Sequence, residues 1–154
     1  MTILQRRTDW WWLVLPASYL AHLGEEWWGG EGFVSWTARV LGAPVSETRF
    51  TVVNSIAAPV FLLGTLLAIT KPTWAWFIVT FGTIVLINGL LHVLSTVGTG
   101  SYSPGVITGS VLYLPLGIVA LRLGRTRSSE ATFWVAAAVG VAIHGGVAIV
   151  AFWR

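Results

Sequence analysis

Cysteine is absent from the sequence. Disulfides, thiolate metal ligands and cysteine nucleophiles are therefore excluded. Charge is scarce too. Asp, Glu, Lys and Arg make up 10% of the residues, against about 25% in soluble domains, so an ordinary soluble globule is excluded as well. No basic stretch is interleaved with aromatics. The net charge of +3 and the pI near 10.0 therefore do not point to nucleic acid. No repeat, low-complexity segment or linker divides the chain, and residues 1–154 read as a single helical domain.

Apolar surface is what the chain has in quantity. Hydrophobic residues make up 55%, and the mean hydropathy is +0.77. Five apolar runs cover 9–29, 48–70, 74–97, 103–123 and 131–153. Each is long enough to cross a ~30 Å hydrocarbon core at about 1.5 Å per residue. The expected fold is all-α, a polytopic membrane bundle of about five transmembrane helices. Arg6-Arg7 before an apolar run resembles a signal peptide. The run is Trp-rich and has no small-x-small cleavage site, so it is expected to stay as the first span.

Lys and Arg set the orientation. With the N-terminus in the cytoplasm, Arg6, Arg7, Lys71, Arg122, Arg125 and Arg127 lie inside, and Arg39, Arg49 and Arg154 outside. That bias follows the positive-inside rule and suits an inner (cytoplasmic) cell membrane. Trp10, Trp11, Trp12, Trp74, Trp76 and Trp134 then form an inner aromatic belt, and Trp27, Trp28, Trp36 and Trp153 an outer one. Pro16, Pro59 and Pro115 fall within spans and predict bends. Pro104 suits the first turn of the fourth span. In the 30–47 loop, Phe33, Trp36, Val40 and Leu41 recur at helical spacing. They predict a short amphipathic helix, ended by Pro44, that could lid a site on the outer side. Gly105, Gly109 and Gly117 form a small-residue face for packing within the bundle or for a homo-oligomer.

The polar residues inside these runs are the informative ones. An ionisable group at bilayer depth costs about 2.5–3.5 kcal/mol on insertion scales. Ser18, Tyr19, His22, Glu25 and Glu26 form one stripe on the first span. Asn88, His92, Ser95 and Thr96 do so on the third, Thr51, Asn54 and Ser55 mark the second, and His144 stands alone in the fifth. Counted from the cytoplasmic ends, His22, Glu25, Glu26, Asn54, Asn88, His92 and His144 all lie about 20–27 Å up. Five independent registers thus converge on one depth, in the outer half of the membrane.

Imidazole and carboxylate suit a divalent metal such as Zn, Fe or Mn. His22 and Glu26 at i, i+4 can hold one ion from a single helix face, with His92 as a ligand from another helix. Glu25 can bridge to a second ion or act as a base. His144, Asn54 and Asn88 are supporting residues. Di-metal carboxylate bundles repeat Glu-x-x-His on two helices, whereas this chain has the reverse order once. A metal-free acid/base site and a hydrogen-bonded structural network remain open.

The leading functional expectation is a membrane-embedded enzyme acting on an apolar or lipid-like substrate. Glu25 or Glu26 serves as general acid or base, and His22 and His92 ligate a metal or relay a proton. With a metal, hydrolysis is the natural reaction. Without one, it is acid/base isomerisation of an isoprenoid or sterol-like double bond. The alternative is a carrier or sensor of a proton, a metal ion or a small apolar cation. Below the site only Thr65, Thr80, Thr83 and Ser110 are polar, which argues against a through-path. A partner subunit using the Gly105/Gly109 face is a third reading.

Three motifs in order, His22-Leu23-Gly24-Glu25-Glu26, then His92, then Tyr102-Ser103-Pro104-Gly105, resemble the HXXEE family of uncharacterised integral membrane proteins. The resemblance covers most of the chain and implies no established function. It favours His92 over His144 as the second histidine. It also draws Tyr102 to the outer rim of the site, where its phenol can donate to a substrate or to Glu25.

Overall fold

The computed structural model describes residues 9–153, and Arg6, Arg7 and Arg154 lie outside the described residues. Six helices follow in order: α1 (Val14–Trp28), α2 (Phe33–Leu41), α3 (Glu47–Thr70), α4 (Trp76–Thr99), α5 (Val106–Arg127) and α6 (Glu130–Phe152). No strand occurs among the described residues. There, four helices (α3, α4 with its leading turn, α5 and α6) are long and apolar enough to cross a membrane. Their outward faces carry Ile56, Leu63, Leu94, Val111, Val135 and Ile149, each at least 60% exposed. A helix in water would turn its polar face outward; apolar residues there call for lipid.

The first apolar run differs from the uniform span expected over 9–29. Asp9–Leu13 is a 3-10 turn, and the α-helix proper is the 15-residue Val14–Trp28. Pro16 falls in the first turn of that helix, where its missing N–H leaves no bond unmade. It marks a helix start rather than a bend. The 3-10 stretch adds about 10 Å and the helix about 22 Å, so the composite still reaches across a bilayer. Pro59 does lie inside α3. Pro115 follows a π-helical segment, Gly109–Tyr113, in which Leu114 N–H bonds the Gly109 carbonyl. The wide turn lies where the proline ring removes a donor and crowds the preceding carbonyls.

α4 is the central helix. Half of its apolar window is buried, against 22% in α3 and α5 and 11% in α6. Small residues let its neighbours approach. A Cβ on Gly89 would sit 2.9 Å from the Gly109 carbonyl, and one on Gly117 would sit 2.9 Å from the Gly82 carbonyl. The Gly105/Gly109/Gly117 face therefore packs inside the bundle. One end of the bundle is closed by Trp12, Leu15, Phe61, Phe81, Val85 and Ala120. There the Phe61 and Phe81 rings stack at 4.2 Å. Trp12 and Trp36 are 4% and 1% exposed, so these two indoles are core residues rather than members of the aromatic belts.

α2 forms where the 30–47 loop predicts a helix. It ends at Gly42 in a left-handed cap, not at Pro44. Trp36 Nε1 donates to Ser101 Oγ at 3.3 Å, which ties α2 to the loop before α5. Pro104 precedes α5, whose N-cap is Gly105. Asp9 pairs with Arg127 at 2.9 Å, joining the start of α1 to the end of α5. Arg49 donates to the Trp153 carbonyl, joining the start of α3 to the end of α6. The spanning helices thus alternate in direction. The C-terminal ends of α1, α4 and α6 meet the N-terminal ends of α3 and α5 at one pole.

Candidate metal centre

At that pole the side chains of His22, Glu26 and His92 converge, 3%, 8% and 5% exposed. The helical period puts His22 and Glu26 one turn apart on α1. Glu26 Oε1 lies 3.5 Å from His22 Nε2 and 3.3 Å from His92 Nε2. Both distances exceed the usual N–H···O range of about 2.7–3.2 Å. His22 Nε2 has no hydrogen-bond partner although it is buried. The three groups offer ligand atoms within 4.8 Å of one another and could hold a metal ion. These two distances are close to the edge of a tetrahedron built on 2.0–2.1 Å bonds, about 3.3–3.4 Å.

The far side of each imidazole is held. His22 Nδ1 lies 2.8 Å from Thr108 Oγ1. That hydroxyl also contacts Glu25 Oε2 at 2.5 Å. Glu25 is surrounded by further donors: Ile107 N at 2.9 Å, Thr108 N at 2.7 Å and Tyr102 OH at 2.7 Å. A carboxylate facing this many donors is an acceptor, so the single Thr108 hydroxyl proton goes to Glu25. Thr108 Oγ1 must then accept from His22 Nδ1–H, which leaves the lone pair of a neutral His22 at Nε2, facing Glu26. His92 Nδ1 lies 3.0 Å from the Ser103 hydroxyl, which can accept in the same way. Tyr113 stacks on His22 at 4.2 Å, and Phe33 of α2 tilts over His92 at 5.7 Å.

Gly105 lets the two histidines meet beneath the α5 cap. Its φ of +106° is left-handed, and a Cβ there would fall 2.7 Å from His92 Cε1 and 2.8 Å from His22 Cε1. The Tyr-Ser-Pro-Gly stretch therefore contributes three contacts: Tyr102 to Glu25, Ser103 to His92, and the bare Gly105 backbone to both rings.

The centre forms part of the wall of a cavity of about 350 Å³. Phe33, Phe50, Leu91 and Val147 line its apolar sides, and Asn54, Asn88 and His144 also face it. Asn54 accepts from the Tyr19 hydroxyl and donates to the Phe50 carbonyl at 2.8 Å. Asn88 Oδ1 and His144 Nε2 are buried without partners. Phe33 and Leu41 of α2 are part of its lining.

Of the expected site residues, His22, Glu26 and His92 come together, while Asn54, Asn88 and His144 line the adjoining space. Glu25 does not join them. Consecutive helical residues point about 100° apart, and Glu25 turns instead to the N-terminal amides of α5, where the helix dipole favours a negative group. Its oxygens are occupied there, so the expected bridge to a second ion or role as a base has no geometric support. Tyr102, offered a substrate or Glu25 as its partner, takes Glu25. Burial, and then this bond, push the Tyr102 hydroxyl up to about 12. Thr108 and Tyr113 are contacts that the sequence pattern does not reveal. The available cue is a Pro-Gly helix start at the depth of an acidic pair.

The fold and site define a class: a polytopic helical membrane protein with a buried His–Glu–His group beside an apolar cavity. The chain belongs to the family of proteins of unknown function with an HXXEE motif, whose model matches residues 12–120. No curated protein and no solved structure matches it.

Proposed function

We propose that the protein is a metal-dependent enzyme embedded in the membrane, acting on an apolar or lipid-like substrate held in the cavity beside His22, Glu26 and His92. One observation carries this reading. Three buried ligand atoms converge beside an apolar cavity, while both imidazoles are tied down through their other nitrogen. Three protein ligands with room for a fourth is the pattern of catalytic rather than structural sites. Two imidazoles and one carboxylate suit zinc, iron or manganese. Such an ion would supply Lewis acidity and an activated water, so hydrolysis is the favoured reaction. His22 and His92 serve as neutral ligands, Glu26 as the anionic one, and Glu25 fixes His22 through Thr108. The Lys/Arg bias supports a cytoplasmic N-terminus and a site in the outer half of an inner membrane.

A carrier or through-channel has less support. The closed pole is aromatic, and Thr80 and Thr83 spend their hydroxyls on helix carbonyls at 3.0 and 2.9 Å. Elemental analysis of purified protein, beside His22→Ala and His92→Ala, tests the proposal. One metal ion per chain, lost in both variants, is the expected result. Wild-type protein that stays metal-free after incubation with Zn, Fe or Mn would overturn it and move the site to metal-free acid/base chemistry.

A further inference from the structure

The metal centre leaves two polar atoms in the cavity unexplained. Asn88 Oδ1, one turn before His92 on α4, and His144 Nε2 on α6 both lie where solvent does not reach, and neither has a hydrogen-bond partner. Both residues line the same cavity. A buried polar atom left unpaired is destabilising, and two in one apolar chamber mark a place where something else completes the bonds. Of the other cavity polar groups, Asn54 is engaged by Tyr19 and the Phe50 carbonyl, and Ser103 by His92. The walls around the two orphans are Ile84, Leu91, Ile143 and Val147. The chamber therefore offers two unpaired polar atoms, one on α4 and one on α6, in a largely apolar surround, in the volume range of small-molecule sites, about 300–1,000 Å³.

We infer that Asn88 and His144 bind the hydroxyl end of a lipid alcohol, a long-chain or polycyclic apolar molecule with one OH. A hydroxyl has one proton to give and lone pairs to accept with. It can donate to Asn88 Oδ1 and accept from His144 when the imidazole proton is on Nε2. A carboxylate offers no proton to Asn88 Oδ1 and would sit near the Glu26 carboxylate. An ester or ketone carbonyl can accept from His144 but leaves Asn88 Oδ1 bare. A hydrocarbon leaves both bare. Calling this alcohol the substrate rests on the proposed function; the binding itself requires no metal.

The test uses purified full-length protein and two photoreactive probes of equal chain length, one ending in a primary hydroxyl and the other in a methyl group. Labelling of cavity residues is measured for wild type, Asn88→Leu and His144→Leu, with metal content measured on the same samples. We expect wild type to favour the hydroxyl probe by about tenfold, as two net hydrogen bonds of ordinary strength allow. Each variant should lose most of that preference while keeping its metal. Equal labelling by both probes in wild type, or an undiminished preference in both variants, would overturn the inference. Metal-free protein that still prefers the alcohol would refute the proposed enzyme and leave the binding site standing.

Discussion

The two poles of the bundle are built from the same helices but obey different rules. At the closed pole Trp12, Leu15, Phe81 and Val85 fill the space, and Phe61 stands between this core and the cavity. At the open pole the helices part around about 350 Å³ and bring His22, Glu26 and His92 to one point. In lipid, close packing rather than water exclusion holds helices together. Small-residue contacts do this at both poles, Gly82 on Ala120 at the closed one and Gly89 on Gly109 beside His92 at the open one. The open pole contributes hydrogen bonds that fix orientation. The apolar packing of the closed pole and the proposed site can each be attacked alone.

The largest effect is expected at the proposed metal ligands. Glu26→Gln removes the anionic ligand and should reduce bound metal from stoichiometric to none, while the protein still inserts and elutes as the wild type does. Metal at wild-type occupancy in that variant would remove Glu26 from the ligand set. Thr108→Val cuts the link between Glu25 and His22. Loss of such an outer partner typically weakens metal affinity about 10–100-fold, measurable by competition with a chelator. An unchanged affinity would mean that the His22 tautomer is set by something other than Thr108.

The complementary attack is Gly82→Val at the closed pole, where the added side chain meets Ala120 of α5. Overpacking of this kind costs about 1–3 kcal/mol. The thermal unfolding midpoint should fall, with metal affinity of the folded fraction unchanged; a matching loss of affinity would show that the poles are coupled. The smallest effect belongs to Tyr102→Phe, which leaves Glu25 its other donors and should weaken metal binding by less than tenfold. The Tyr102 phenol is raised to about 12 in the folded protein, from about 10 when free. Its contribution to stability is complete below about pH 10 and is lost as the pH rises through the folded value. The difference in tyrosinate absorbance between wild type and this variant should therefore emerge only near the upper end of that window. Emergence near pH 10 would mean the bond to Glu25 is absent.

Much of this could be read in the sequence because the membrane simplifies the problem. Apolar runs of bilayer length give the spans within a few residues, and a polar group at depth is conspicuous against them. His22, Glu26 and His92 were found by depth and by i, i+4 spacing, both properties of a helix. What helical periodicity does not carry is where a side chain turns once neighbours compete for it. Glu25 and Glu26 look equivalent in the sequence, yet the α5 amides capture one and the histidines face the other. Thr108 and Tyr113 are not marked in the sequence because their roles depend on how α5 is rotated against α1. The 3-10 start before α1 is not marked either, because a continuous apolar run does not say which helix type it adopts.

The π-helical segment Gly109–Tyr113 decides that rotation. It carries one residue more than an α-helical turn would, so it sets the chain on its two sides out of step by about 100°. Before it, Ile107 and Thr108 meet Glu25. After it, Gly117 meets Gly82 and Leu86. A continuous α-helix could satisfy one of these contacts but not both. Deleting a single residue here would swing the cap away from α1 while the closed pole stayed in place. The bulge acts as a phase shifter: it lets one helix belong to two differently oriented neighbourhoods, and it would let the site be re-aimed by insertion or deletion without touching the packing of the closed pole.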